Sequence, residues 1–234
     1  MSVPALEISD LAKDYRGLRP LRLEHLAVGP GESAVILGFD QIAAEVFVNL
    51  VTGATLPDRG AVSLFGRPTT AIGDSAEWLA AVDRFGIVSR RAVLRDGLSV
   101  VQNLAMPFTL EIEPPPDAVR ERAASLGREV GLAEATWSRP VAELDEPARA
   151  RLRLGRALAL DPAIVLMEHP TAEMPRGAVE PFARAVRTVA ARRGASLIVL
   201  TGDEAFARAV SDHVLRLDPA TGKLSKRRKW FGRT

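Results

Sequence analysis

A parallel-sheet α/β core interrupted by a helical segment is the fold class that the sequence predicts, and three observations predict it. The continuous apolar runs Ser33–Leu37, 163–167 and 197–200 have the length and the lack of alternation of strands buried on both faces. Helical periods separate these runs, which implies parallel pairing through right-handed crossovers. The middle of the chain, roughly 91–156, shows helical patterns and breaks but no strand pattern. With 234 residues, 47% of them apolar, the chain is long enough to bury its own core without a covalent staple.

In chain order, 6–8 and Leu21–Val28 read as strands, the second ended by Gly29-Pro30-Gly31. Ser33–Leu37 follows. After Gly38 the period changes: Ile42, Ala43, Val46, Phe47, Leu50 and Val51 share one helical face, and Gly53 stops the helix. Residues 61–65 read as a strand closed by Gly66 and Pro68, so strand, turn, helix and strand have the outline of a βαβ unit. In the middle, 99–110 (interrupted by Pro107) and 117–130 read as helices on either side of Pro114-Pro115-Pro116. A third helix starts near Pro147, a good first-turn residue, and runs to Leu160. A long helix over 178–193 separates the strands 163–167 and 197–200, and 212–217 is a further strand. No internal repeat is visible.

Composition narrows the function. Cysteine is absent, which excludes disulfides and thiolate chemistry and fits a reducing compartment. No run approaches the ~18 apolar residues of a membrane span, and Met1-Ser2-Val3-Pro4 lacks the basic and apolar regions of a signal peptide. A cytoplasmic location is expected. Lys and Arg total 31 against 29 Asp and Glu, but Lys226, Arg227, Arg228, Lys229 and Arg233 crowd the last nine residues. The rest of the chain is therefore mildly acidic, and a nucleic-acid-binding surface is not expected. The only lysines are Lys13, Lys223, Lys226 and Lys229, so no mechanism that needs a lysine in mid-chain is available.

Several fragments, in order, carry a resemblance. They are Gly31-Glu32-Ser33-Ala34-Val35-Ile36-Leu37-Gly38, Asn49-Leu50-Val51-Thr52-Gly53, Pro57-Asp58-Arg59-Gly60, the stretch from Leu98 to Pro107, Gly155-Arg156-Ala157-Leu158-Ala159, Asp161-Pro162 and Pro170-Thr171-Ala172. Together, from Leu6 to about Leu224, they resemble the nucleotide-binding subunit of an ATP-binding-cassette (ABC) transporter. The resemblance implies a P-loop NTPase-like parallel sheet, an N-terminal antiparallel β portion and an inserted helical subdomain. It implies one cassette domain over 1–234, with an α/β core at 1–90 and 157–224, a helical subdomain at 91–156 and a basic tail at 225–234.

The positions that carry the family's chemistry depart from its pattern. A phosphate loop needs glycines that let the backbone curl, a lysine for the β- and γ-phosphates and a hydroxyl for magnesium. Counting from Gly38, this chain has Phe39-Asp40-Gln41-Ile42-Ala43-Ala44-Glu45-Val46, so Ala44 stands at the lysine position, and Glu45 and Val46 at the hydroxyls. Gln41 and Ala43 replace the inner glycines, and β-branched Ile42 is a poor guest in a curled loop. Asp40 and Glu45 would each oppose a triphosphate with like charge, at a cost of about 4 kcal/mol per pair at ~4 Å and an effective dielectric of ~20.

Glu168 stands at the position of the family's magnesium aspartate and His169 at that of its catalytic glutamate. Glu168 could hold a metal and His169 could accept a proton near neutral pH; alternatively, both are residues at a strand end with no chemistry. Gly202 occupies the place of the switch histidine, and Arg90 that of a glutamine. The signature that would offer amides to phosphate at a helix N-terminus reads Leu144-Asp145-Glu146-Pro147-Ala148. Its acids suit the helix dipole but repel phosphate, and Pro147 has no N–H to offer. Tyr15, the single tyrosine, lies where the family stacks an aromatic on adenine, or is a partly exposed aromatic at a strand edge. Arg90 and Arg91 could supply positive charge to a nucleotide, or be a solvated face or a partner contact.

These departures lead to the expectation of a catalytically degenerate adaptor or regulatory subunit at the inner face of the membrane. Its partners would be membrane subunits and an active cassette, in a homo- or heterodimer, and it would use no ATP or magnesium. Two alternatives stand beside it. One is a weak ATPase that uses Glu168, His169 and Tyr15 with ATP and magnesium; the other is a stand-alone soluble interaction module. Lys226-Arg227-Arg228-Lys229-Trp230-Phe231, basic and then aromatic, suits contact with an anionic membrane surface.

Overall fold

The structure, a computed structural model, describes residues 3–226. β1 (Leu6–Lys13) and β2 (Leu21–Val28) pair antiparallel, with the apolar residues Leu6, Ile8 and Leu11 of β1 buried. β3 (Ser33–Leu37) leaves that pair for the second sheet and leads into α1 (Gln41–Val51). β4 (Arg59–Leu64) and the two-residue β5 (Arg67–Pro68) then return to the first sheet, whose order is β2-β1-β4-β5.

The βαβ outline is therefore corrected. β3 and β4 flank α1 in sequence but lie in different sheets, and β4 runs antiparallel to β1. The turn before β4 is what redirects the chain. The Asp58 amide donates to the Ala12 carbonyl at 2.9 Å, and its carboxylate accepts from Lys13 Nζ and the Asp14 amide, both at 2.7 Å. The Lys13 hydrogen bond first, and then the Asp14 amide, hold the Asp58 carboxyl below its usual range. β1 is also longer than its apolar signal at 6–8. Asp10, with φ 46°, marks a register shift in the pairing with β4, and the strand resumes beyond it to Lys13.

α2 (Ser75–Val82) is capped by Asp74 and buries none of its residues, and it precedes the edge strand β6 (Phe85–Val88). The insert follows. α3 (Val100–Ala105) opens with a capping box made by Ser99 and Gln102 and ends before Pro107, well short of residue 110. α4 (Asp117–Glu129) and α5 (Glu146–Ala157) pack with α3 through Leu104, Leu126, Val130, Leu152 and Leu154.

β7 (Ile164–Glu168), α6 (Arg176–Arg193), β8 (Ser196–Thr201), α7 (Glu204–Val210) and β9 (Val214–Leu217) complete the core. With β10 (Leu224–Lys226) antiparallel on β9, the second sheet has the order β10-β9-β3-β8-β7-β6, its other pairs being parallel. Both of its faces are covered, which is why its central strands read as unbroken apolar runs. Val35, Leu37, Val165 and Met167 face the helical side, whereas Ala34, Ile36, Ile164 and Leu166 face α1 and the antiparallel sheet. α1 is thus enclosed between the two sheets, and its start lies at the carboxyl end of β3. In open α/β sheets ligands bind at that end of the strands. No helix among the described residues is long and apolar enough to cross a membrane.

Candidate functional site

Three residues, Gly38 to Asp40, join β3 to α1. Gly38 has φ 106°, and a Cβ there would come within 2.9 Å of the Leu217 carbonyl oxygen, so the backbone itself requires this glycine. Phe39 turns inward and meets Phe47 edge-on, with ring centroids 5.4 Å apart. Asp40 caps the helix: its carboxylate accepts the Ala43 amide at 2.7 Å, and its carbonyl accepts the Ala44 amide at 3.0 Å. Residues 41–44 accordingly form the first helical turn, although comparison with a phosphate loop makes 39–43 a curled loop. Ala43 and Ala44 are buried, Ala44 completely, while Glu45 and Val46 are half-buried.

Glu168 is the last residue of β7 and is buried, with its side chain 1% exposed. Arg91, from the irregular segment after β6, reaches it at 2.7 Å and reaches Glu45 of α1 at 3.0 Å with its other terminal nitrogen. Neither sequence reading of Arg91, as nucleotide contact or as solvated or partner face, describes this internal bridge. His169 follows with φ 42°, its amide donating to the Leu200 carbonyl at 2.9 Å. Glu168 Oε1 and His169 Nε2 are buried and have no hydrogen-bond partner among the described residues. Arg90 pairs with Glu173 at 2.6 Å on the surface.

Tyr15 lies just beyond β1, half-buried over a cleft of about 400 Å³ that is lined by Leu18, Arg19, Gly38, Asp40 and Ile42 as well. Burial, and then the negative charge of Asp40, raise the phenol above its usual 10. Because this is the only tyrosine, phenolate absorbance reads it alone. A spectrophotometric titration is expected to give a midpoint above 10, which Asp40→Asn lowers. Folding thus favours the protonated phenol. That contribution is complete below the unfolded value near ~10 and fades as pH rises through the folded one.

The remaining sequence candidates lie apart from this constellation in role. Leu144 is buried, and Asp145 caps α5 by accepting the Ala148 amide at 2.9 Å. Glu146 pairs with Arg153 at 2.8 Å, and Pro147 occupies the first turn, so the acids are engaged with their own helix. Gly202 is exposed with open space around it. The Asp203 carboxylate beside it caps α7 through the Ala205 and Phe206 amides and accepts the Thr171 hydroxyl at 2.9 Å. Only Lys226 of the run Lys226–Phe231 falls within the described residues, at the end of β10; the rest lies outside them.

No protein-family model matches the chain. The lipoprotein-releasing system ATP-binding protein LolD of Pseudomonas fluorescens is 29% identical over 219 residues, covering 91% of this chain and 94% of that protein. LolD of Pseudomonas syringae pv. tomato is 28% identical over 193 residues, 82% of this chain and 84% of that protein. The methionine import ATP-binding protein MetN of Brucella abortus is 26% identical over 218 residues, 93% of this chain but 58% of its own length. Among solved structures, cbiO1 of Clostridium perfringens, part of the ABC transporter complex cbiONQ, superposes with a TM-score of 0.79 at 19% identity, over 95% of this chain and 87% of that one. The cassette MJ0796, in a dimeric post-hydrolysis state bound to ADP and Pi, gives a TM-score of 0.75 at 20% identity, over 96% of this chain and 100% of that one. The chain is thus a homologue of the ATP-binding subunits of ABC transporters and carries the fold of their cassettes.

Proposed function

We propose that this chain is a cassette subunit that works without hydrolysing ATP, as an adaptor or regulator of a membrane transport complex. The observation that carries the reading is the start of α1. Where a phosphate loop keeps amides free for an anion, the Ala43 amide here is held by the chain's own Asp40 carboxylate. Ala44, at the lysine position, is fully buried among apolar neighbours. Of the candidate magnesium donors, Glu45 Oε1 and Glu168 Oε2 already share the Arg91 cation, which opposes a second cation beside them. These residues do not suit magnesium and a triphosphate.

In this reading the cassette is one domain, with its core at 1–90 and 157–224, a helical subdomain at 91–156 and a basic tail at 225–234. It sits on the cytoplasmic side of the membrane and docks to membrane subunits or to an active cassette. The cassette it pairs with is either a second copy of this chain or a different, active one.

A second reading has one observation in its favour. Glu168 Oε1 and His169 Nε2, buried and unpartnered among the described residues, suit a weak ATPase that uses Glu168 for metal and His169 as base, with Tyr15 for adenine. Calorimetric titration of the purified protein with ATP and magnesium separates the two. No heat and no turnover above background are expected. Micromolar affinity, or turnover that Glu168→Gln or His169→Ala abolishes, would establish the ATPase instead. Recovery of the protein in the soluble fraction, unaccompanied by membrane proteins, would point to a stand-alone module.

A further inference from the structure

Glu45 and Glu168 come from different elements, α1 and β7, and stand 123 positions apart in the chain. A buried carboxylate such as Glu168 is costly unless a cation and hydrogen bonds compensate it. Arg91 is that cation: one terminal nitrogen lies 2.7 Å from Glu168 and the other 3.0 Å from Glu45. The planar fork of a guanidinium is suited to spanning two carboxylates, which the point charge of a lysine is not. Arg91 is also fixed from its own side, its amide donating to Ser89 Oγ at 3.1 Å, and the next cation upstream, Arg90, is tied to Glu173. In P-loop enzymes a loop hydroxyl and a strand-end carboxylate hold the magnesium ion. Glu45 and Glu168 stand at those two positions.

We infer that Glu45 and Glu168 form a cation site whose resident cation is the Arg91 guanidinium, set where such enzymes place a divalent metal. This rests on the reading above that the chain does not work with magnesium and ATP. The charge is thereby permanent. It belongs to the segment between β6 and the helical insert, and it pins that segment to α1 and β7 whatever ions or nucleotides are in solution. The Glu168 arm carries most of the effect, because Glu45 is only half-buried whereas the Glu168 side chain is 1% exposed.

The test is a set of thermal melts with and without millimolar manganese, together with manganese electron paramagnetic resonance. Manganese is expected to leave the wild-type melting temperature unmoved and to remain free in the spectrum. Arg91→Ala is expected to melt roughly 5–10 °C lower, to recover part of that loss with manganese, and to show bound ion. Arg91→Ala/Glu168→Gln, which removes the buried charge, is expected to be more stable than the single variant and indifferent to manganese. It keeps the question decidable if Arg91→Ala does not fold.

The inference is overturned by an Arg91→Ala protein as stable as wild type, by one that manganese does not stabilise, or by a double variant no more stable than the single. Wild-type protein that binds ATP with magnesium, beside an Arg91→Ala variant that takes up manganese, fails the functional reading alone. Wild type inert to ATP beside a variant indifferent to manganese fails this inference alone.

Discussion

Ala44→Lys is expected to lower the melting temperature by about 8–16 °C and to confer no affinity for ATP. The substitution restores the residue type that a phosphate loop uses, but the local structure gives it no place. Ala44 is completely buried in the first turn of α1, between the two sheets, in a cluster with Phe47, Ile36 and Leu166. Four added heavy-atom groups overpack that cluster at a cost of about 1–3 kcal/mol. An ammonium held out of water adds several kcal/mol more, reduced where the stem bends toward Asp40 or Glu45. A net loss of at least about 4 kcal/mol, at 2–4 °C per kcal/mol for a chain of this size, gives the stated range. Differential scanning calorimetry with and without ATP and magnesium checks it. A variant that melts like the wild type and gains nucleotide-dependent stabilisation would show that the first turn of α1 unwinds to admit phosphate, contrary to the proposed function.

Phe47→Ala should cost about 3–5 kcal/mol, or roughly 6–20 °C in melting temperature. Phe47 is fully buried on the face of α1 between the sheets, and its ring forms a T-shaped pair with that of Phe39. Truncation leaves a cavity bounded on two sides by β-sheet, which cannot collapse as a loop-lined site can. It also removes the anchor of the three-residue junction that sets the helix start. Chemical denaturation reads the loss directly: an unchanged m-value with a lowered midpoint is the expected pattern. A loss below about 1 kcal/mol would mean that α1 is not the wedge between the sheets described above.

Most elements were legible in the sequence where a local signal was strong. Leu21–Val28 and Ser33–Leu37 coincide with their apolar runs because Gly29-Pro30-Gly31 and Gly38 bound them sharply. Asp145 and Pro147 announced α5, and the structure uses both at its first turn. α2 was missed: it is eight residues long and none of them is fully buried, so the apolar Trp78, Leu79 and Val82 form no stripe long enough to declare a period. β6 is four residues at a sheet edge, and α7 is seven residues, too short for a period to declare itself. Sheet membership was the larger error. Strand, helix and strand in succession do not say which sheet the second strand joins, and only the pairing of β4 with β1 decides it.

Within the candidate site, residue identities were legible but their arrangement was not. Asp40 read as a charge opposed to phosphate, whereas its foremost structural role is as a helix cap, a signal available in the sequence and outweighed by the comparison with a loop. Arg91 could not have been paired from the sequence. Its carboxylate partners lie 46 positions before it and 77 after it, and nothing local to any of the three marks the others. Glu173 as the partner of Arg90 is hidden for the same reason.

The cap on α1 has a thermodynamic corollary. A solute that binds only the folded form stabilises it in proportion to the logarithm of its concentration, and so ties a protein's abundance to its supply. Here the helix terminus has its counter-ion one residue upstream, in the Asp40 carboxylate of the same chain. Under the proposed function, the stability of this chain is expected not to rise with the concentration of phosphorylated solutes, which thermal melts across a range of ATP concentrations check.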